Sequence, residues 1–579
     1  MAIDEILSNI DDENFFEVRA DQLTLATIET STSVDGPALN VVRELLVPGA
    51  KLLVGPRGCG KTHLMRYTWA YSLQQNTFPF AIYLSFNRYY RLEPLLKSRT
   101  NALDLFHGWV LCLCYLGIYE SIAAYLSKDD TIDSDELWLE YSQEALLGIV
   151  ARLERGAALL PEQEEIFDTL SLAHLKSTID RITVALKRRR SIILLDDAAL
   201  TLAPEYLPDF FDFFRSLKSP TISPKASVYP GTTEYGPRFH VAHEADEVAA
   251  WFSVESPDYL QLMDSIGSKR LSAYDTIAPE VRDLFKYAAF GIPRAYLTLL
   301  NAMKQQMGKE GTIQSKVNAI LDAFIKNKDA EYLSLATKIP KFKTLITAGL
   351  DVFHKTCSEL VSENQNLLQT GEKQLFIGIQ ESSDRTAYVD RMFSLLIEAG
   401  LLYGFASVSH GKSRVYERFI PHLALLIRDR AFSEARGFSA IKVVDVLKKP
   451  NVRHPLRRSI STLIESNTLK GLKFDLPRCQ NCGAERLTEA SRHCHICGAK
   501  LTDASTFKSC MEIELASIPT LNQWQKNKLK QDMPEVRTVG DFLALQDPGS
   551  ELRKISYVGP RRAVIINKSI EIFVDEFLS

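Results

Sequence analysis

Residues 55–62 read Gly55-Pro56-Arg57-Gly58-Cys59-Gly60-Lys61-Thr62: a glycine, four intervening residues, a second glycine, then lysine and a hydroxyl side chain. Those types at that spacing point to phosphate chemistry. The glycines let backbone N–H groups close around an anion, and a helix opening there adds its positive dipole end. Lys61 would reach the β- and γ-phosphates of ATP, and the Thr62 hydroxyl would bind Mg²⁺. Cys59 reads as a small residue within the loop, where its oxidation would block nucleotide. A second constellation, Ile192-Ile193-Leu194-Leu195-Asp196-Asp197, ends an apolar run in two carboxylates. Asp196 is placed to hold Mg²⁺, commonly through water, and Asp197 to orient or activate an attacking water.

A third constellation is Cys479-Gln480-Asn481-Cys482-Gly483 followed by Cys494-His495-Ile496-Cys497-Gly498. Two C-x-x-C-G knuckles suit tetrahedral Zn²⁺ held by four thiolates, with the glycines permitting tight turns around sulfur. Four thiolates leave no open position, so the expected zinc is structural. His493 and His495 flank the site and are the alternative ligands. Cys112, Cys114, Cys357 and Cys510 lack such spacing and read as core residues.

Elements must position these groups. Residues 51–54 form a short buried strand stopped by glycine, with a helix from 62 to 72 after it. Further strands are expected at 80–86, 191–195, 225–229 and 249–254. The repeated strand–helix rhythm is that of a parallel sheet covered by helices, an α/β core. About 100 residues between the second and third strands read as helix, which is long for one crossover. The run Lys187-Arg188-Arg189-Arg190 reads as solvated charge at a helix C-terminus, favoured by the macrodipole.

The chain of 579 residues carries a net charge of −4, which excludes a uniformly basic nucleic-acid coat. That average hides unlike parts. Residues 441–510 hold 13 Lys+Arg against 6 Asp+Glu, while residues 1–440 are net acidic. The longest uninterrupted apolar stretch, residues 109–119, spans 11 residues, short of the about 18 that cross a bilayer. No membrane association is therefore expected. The acidic, polar start lacks the pattern of a signal peptide. With few cysteines for the length, this points to the reducing cytoplasm.

Two further features join the nucleotide motifs. The fourth strand runs into Pro230-Gly231-Thr232-Thr233-Glu234, and Gly291-Ile292-Pro293-Arg294 opens a later helix. Together these resemble the AAA+ ATPases, whose sensor 1 ends the fourth strand and whose sensor 2 is often a G-x-P-R arginine in a helical lid. The resemblance gives Thr232 or Thr233 the first role and Arg294 the second. It makes Arg238 a candidate arginine finger acting on a neighbouring subunit of a homo-oligomer. Asp197 stands where most members carry Glu, one methylene longer, so an ATP hydrolase with slow turnover, or nucleotide binding without turnover, is expected.

Residues 373–427 read as strand, helix and strand pair and look like a winged helix. AAA+ core, lid and winged helix in that order resemble the origin-recognition (ORC/Cdc) initiator family over residues 30–435. There the winged helix contacts DNA, which implicates Arg385 on the helix and Lys412 and Arg414 at the wing. The stretch from Leu552 to Ala563 resembles a helix-hairpin-helix motif, whose hairpin N–H groups bind DNA phosphate. Gly559, Arg561 and Arg562 match it, whereas Tyr557 replaces the first hairpin glycine.

The organisation implied is a lead-in at 1–49 and a P-loop AAA+ core at 50–254, with a helical insertion at about 101–165. A helical lid at 255–350 and a winged-helix-like domain at 351–440 follow. A basic linker occupies 441–475, a zinc ribbon 476–505 and an α-helical, helix-hairpin-helix-like domain 506–579. Three functions fit: an ATP-dependent DNA-binding ATPase, an ATP-switched scaffold binding an effector protein in antiphage defence, or a regulator selecting target DNA in transposition.

Overall fold

The computed structural model describes residues 20, 23–33, 36–128, 134–198, 204–381, 385–411, 414–434, 439–451, 454–488, 491, 493–499, 501, 506–545 and 547–578. The first sheet is built from buried strands, with one edge strand alone exposed. Its members are β1 (Lys51–Val54), β2 (Phe80–Ser85), β3 (Ser191–Asp196), β4 (Ile222–Val228) and β5 (Asp246–Ala249). All four pairings are parallel, and the order is β2-β3-β4-β1-β5. Successive side chains point to opposite faces. Ile192 and Leu194 therefore join one buried cluster and Ile193 and Leu195 the other. Both faces are covered, as a parallel sheet requires.

Two strand boundaries differ from the sequence expectation. β4 begins at Ile222 rather than 225, with Pro224 inside it. The register of β1 begins at Lys51↔Lys225, so Pro224 lies beyond the end of β1 and its missing N–H breaks no bond to that strand. β5 occupies Asp246–Ala249 rather than 249–254, because β1 offers only four residues to pair with. The apolar Ala250-Trp251 that follows leaves the sheet, and the Trp251 indole N–H donates to Phe290 O at 2.8 Å.

Between β2 and β3 stands the helical insertion, whose longest member is α1 (Ala102–Leu126). It lies so close to β2 that a Cβ on Gly117 would stand 2.9 Å from Tyr83 O. By length and composition α1 could cross a membrane, but 61% of its most apolar window is buried inside this fold. Arg188 is buried, contrary to the solvated-charge reading. Its guanidinium donates to Phe78 O (3.0 Å), Ser72 O (3.3 Å) and Gln75 O, tying the start of β3 to the loop before β2.

After β5 the chain is helical through α2 (Tyr259–Arg270), α3 (Pro279–Ala289), α4 (Pro293–Gln306), α5 (Ile313–Lys338) and α6 (Lys343–Leu367). α6 runs unbroken through residue 350. A second sheet, in order β7-β8-β6-β9, follows: β6 (Ile377–Gln380), the hairpin β7 (Leu402–Ser409) and β8 (Val415–Pro421), and β9 (Leu456–Arg458). Helix α7 (Ala387–Glu398) sits between β6 and β7 in the chain. Residues 441–475 contribute β9, which pairs parallel with β6, and the buried Val443, Leu447, Ile460 and Leu463. Leu299, Leu345, Leu396 and Phe419 share one core with Met65 and Leu53, so these helices and the second sheet pack on the same face of the first sheet. The helices after residue 506 join the cluster on the opposite face through Cys510, Val539 and Ile566. Cys112, Cys114 and Cys357 are buried as well.

Candidate nucleotide site and cysteine cluster

Parallel pairing brings the ends of β1, β3 and β4 to one edge, with β4 in the middle. Such carboxyl ends are where open α/β sheets bind ligands. After β1, residues 55–60 form a loop and helix α8 of the site (Lys61–Ser72) begins at Lys61. Gly58 and Gly60 have φ of +79° and +98°, conformations that only glycine adopts freely. The Lys61 ammonium donates to Gly55 O (2.7 Å) and Pro56 O (3.2 Å) and lies 3.9 Å from the centre of the Tyr229 ring. Thr62 follows it in the first helical turn. Cys59 is buried, and burial pushes its thiol up, which opposes the thiolate that oxidation needs.

Asp196, at the end of β3, is buried and fixed from two sides. The Tyr83 hydroxyl donates to Oδ2 at 3.0 Å and the Ser227 hydroxyl to Oδ1 at 2.7 Å. Burial, together with Asp196 and Asp197, raises the Tyr83 phenol, so it remains a donor. Asp197 takes φ of +53°, and its N–H donates to the Ser227 hydroxyl oxygen at 2.8 Å. That left-handed turn costs an ordinary side chain about 1–2 kcal/mol.

The two threonines after β4 separate in role. Thr233 Oγ1 accepts from Tyr229 N at 3.0 Å and closes the turn. Thr232 Oγ1 donates at 3.0 Å to both carboxylate oxygens of Glu398, and Gly231 N–H donates to the same carboxylate at 2.9 Å. Glu398 ends α7, is 1% exposed, and stands 166 residues beyond Thr232. Burial raises its carboxyl pKa, while Arg57, Thr232, Gly231 and Lys61 oppose that rise. Its backbone carbonyl accepts from Arg57 N at 3.4 Å. The sequence reading did not single out Glu398, Tyr229 or Ser227. A strand-end serine two residues before an aromatic was the only local signal, and Glu398 had none.

Arg294 also meets the loop. Its N–H reaches Gly58 O at 3.4 Å, and a Cβ on Gly58 would stand 3.1 Å from Arg294 Cβ. His63, next to Thr62, accepts at Nε2 from Arg270 Nη1 at 2.7 Å. Burial, then Arg270, Arg66 and Arg294, push its pKa down to about 3, so the neutral ring accepts from the arginine. Arg238 stands apart from this group, 76% exposed and 3.2 Å from Asp212.

The four cysteine sulfurs of 479, 482, 494 and 497 lie within 4.8 Å of one another. Cys479 to Cys497 and Cys482 to Cys494 are 3.5 Å, far beyond a disulfide. Tetrahedral Zn–S bonds of about 2.3 Å would set sulfurs about 3.8 Å apart, so the donor set fits that ion. Both knuckles have the same backbone. Cys479 N bonds Ala484 O and Cys494 N bonds Ala499 O, each at 2.8 Å, with Gly483 and Gly498 at φ of +71° and +70°. Backbone N–H groups lower the thiols of Cys494 and Cys497, favouring thiolate.

The DNA-contact candidates are scattered. Arg385 is turned inward, 2.6 Å from Asp390 and bonded to Glu417, with a side chain only 14% exposed. The guanidinium is thus engaged by two carboxylates of its own unit. Arg414 is exposed at the β7–β8 turn, and Lys412 lies outside the described residues. Gly559, Arg561 and Arg562 are exposed where the last helix (Pro560–Leu578) begins. Tyr557 holds φ of +67°, the backbone a hairpin glycine would supply.

No family model and no curated protein matches the chain. Among solved structures, the ORC1 protein of Aeropyrum pernix in complex with DNA is similar at 14% identity, over 70% of this chain and 96% of that one, with a TM-score of 0.30.

Proposed function

We propose that the chain is an AAA+-type, ATP-dependent DNA-binding ATPase, in which nucleotide controls assembly and DNA engagement. The observation that supports it most is convergence: Arg294 and Glu398, both distant in sequence, meet residues 57–58 of the phosphate loop, and Glu398 also grips Thr232. Gly55, Pro56, Arg57, Gly58, Cys59, Gly60, Lys61 and Thr62 would hold ATP, with Thr62 and Asp196 on Mg²⁺. Asp197 would orient water, Thr232 and Arg294 would sense the γ-phosphate, and the exposed Arg238 would reach a neighbouring subunit in a homo-oligomer. The residues after 351 would act as a winged helix, the four cysteines as a structural Zn²⁺ ribbon, and the hairpin at 557–562 as a phosphate contact. Lys61→Ala should abolish ATP binding, and DNA affinity should change with ATP and fall steeply with salt. Normal ATP affinity in that variant would sink the site, and no DNA binding at low salt in either nucleotide state would sink the DNA reading.

A second reading, an ATP-switched scaffold for an effector protein, draws on Arg385. Arg385 stands just before α7 rather than on it, and its inward pairing takes it from a DNA backbone. Protein capture that depends on ATP, with no DNA bound at low salt, would favour it. DNA target selection in transposition would differ from the first reading in the partner recombinase.

A further inference from the structure

An open cleft of about 580 Å³ lies between helix α9 of the C-terminal unit (Gln523–Asp532) and the start of the last helix. Asn522, Trp524, Gln525, Tyr557, Arg562 and Ile565 line it, and none is acidic. Tyr557 is the conspicuous member. It combines a left-handed backbone, which disfavours any side chain, with a ring that is 81% exposed. Neither packing nor backbone preference accounts for a tyrosine there, and strain held at an exposed position points to a ligand. Trp524, across the cleft, is 40% exposed. Cations lie on both rings: the Arg562 guanidinium is 5.0 Å from the Trp524 centre, and the Lys528 ammonium is 5.5 Å from that of Tyr557. Arg562 also donates to Tyr557 O at 2.8 Å, which fixes it between the two.

We propose that this cleft binds unpaired bases of single-stranded DNA, an inference that rests on the DNA reading above. Exposed aromatic faces next to fixed cations match a ligand that is planar and anionic at once. Bases stack on aromatic side chains whatever their identity, and the exposed Arg562 takes a neighbouring phosphate, Lys528 being paired with Asp532 at 3.4 Å. A duplex offers only base edges in its grooves, so its bases cannot use these ring faces. The Tyr557 ring thus adds a contact that a glycine hairpin lacks.

The test uses the full chain and fluorescence anisotropy with three probes of about 20 nucleotides: oligothymidylate, an abasic strand of the same charge, and a duplex. Oligothymidylate should bind about tenfold or more tighter than the abasic strand, since stacking on one base is worth about five- to a hundredfold. Tyr557→Gly and Trp524→Ala should each remove most of that preference. Glycine is at home at φ of +67°, so Tyr557→Gly should keep its thermal midpoint, and its loss of binding cannot be charged to misfolding. Equal binding of the oligothymidylate and abasic strands, or both variants within about twofold of the parent, would overturn the cleft while duplex binding left the DNA reading standing. Failure of all three probes at low salt would instead remove the DNA reading itself.

Discussion

Glu398→Gln is the most informative single substitution, because it changes one charge at a buried junction and almost no volume. The carboxylate accepts from Gly231 N (2.9 Å) and from the Thr232 hydroxyl (3.0 Å). Hydrogen bonds to a charged group contribute about 1.5–3 kcal/mol each. An amide oxygen at the Oε2 position still accepts from both donors, but as a neutral acceptor, so both bonds weaken toward the about 0.5–1.5 kcal/mol of uncharged pairs. Removing a charge whose burial is unfavourable, as the raised pKa indicates, returns part of that. The net loss should be about 1–2 kcal/mol, felt locally. Because several units share this chain, a global unfolding energy is a poor readout. Hydrogen exchange over residues 229–234 is the better one, and it should quicken roughly 5–30-fold. Thr232→Val removes the hydroxyl from the other side. If the bond is real, the double variant should exchange only slightly faster than either single one, a coupling of about 1–2 kcal/mol. Strictly additive effects, with coupling below about 0.3 kcal/mol, would refute the direct contact.

Three further outcomes follow from the same geometry. Cys482→Ser should lower bound zinc from about one per chain and increase proteolysis around residues 479–499; metal analysis giving no zinc in the parent chain would contradict the thiolate site. His422 is buried and His63 half-buried, both neutral, with pKa pushed down to about 3 against an ordinary value of 6.5. The unfolded chain therefore binds protons that the folded chain refuses. Stability is whole above pH 6.5 and is lost as pH falls from 6.5 toward 3, by about 2 kcal/mol per histidine at pH 5. Thermal midpoints measured from pH 8 to 5 should drop, and less so in His422→Gln. Under the proposed function Gly58→Ala should weaken ATP binding, because φ of +79° strains alanine and its Cβ would press on Arg294, and unchanged affinity by calorimetry would contradict this.

Local patterns were legible in the sequence and distant contacts were not. A strand, a glycine loop and a helix over residues 51–72 are consecutive, so their order and the parallel α/β core could be read directly. The cysteine knuckles are equally local, and the structure gathers their four sulfurs. Strand ends shifted where a partner decided the length: β5 stops where β1 has no more residues to pair. Arg188 looked like a solvated cation because its three carbonyl acceptors lie more than 100 residues upstream. Glu398 is the sharper case. Its local sequence is an amphipathic helix end, and only the packing of α7 against the end of β4 makes it part of the site.

That packing constrains how the units can act on one another. α7 has 12 residues, so as a rigid rod it spans about 18 Å. One end carries Glu398 at the phosphate loop and the other carries Asp390, which binds Arg385 and through it Glu417 of β8. The β7–β8 hairpin and the 55–60 loop are thus joined by one helix with hydrogen-bonded ends, and Arg391 adds a further bond to Gly231 O at 2.6 Å. A ligand that displaces the 55–60 loop by even part of a hydrogen-bond length must either move α7 or break the bond from Arg57 N–H to Glu398 O. Under the proposed function, DNA at the hairpin and ATP at the loop would bias the same element. Linkage then requires equal factors: whatever ATP does to DNA affinity, DNA must do to ATP affinity. If Glu398 carries that coupling, Glu398→Gln should shrink both factors together, whereas both factors unchanged from the parent would mean that the two sites do not communicate through Glu398.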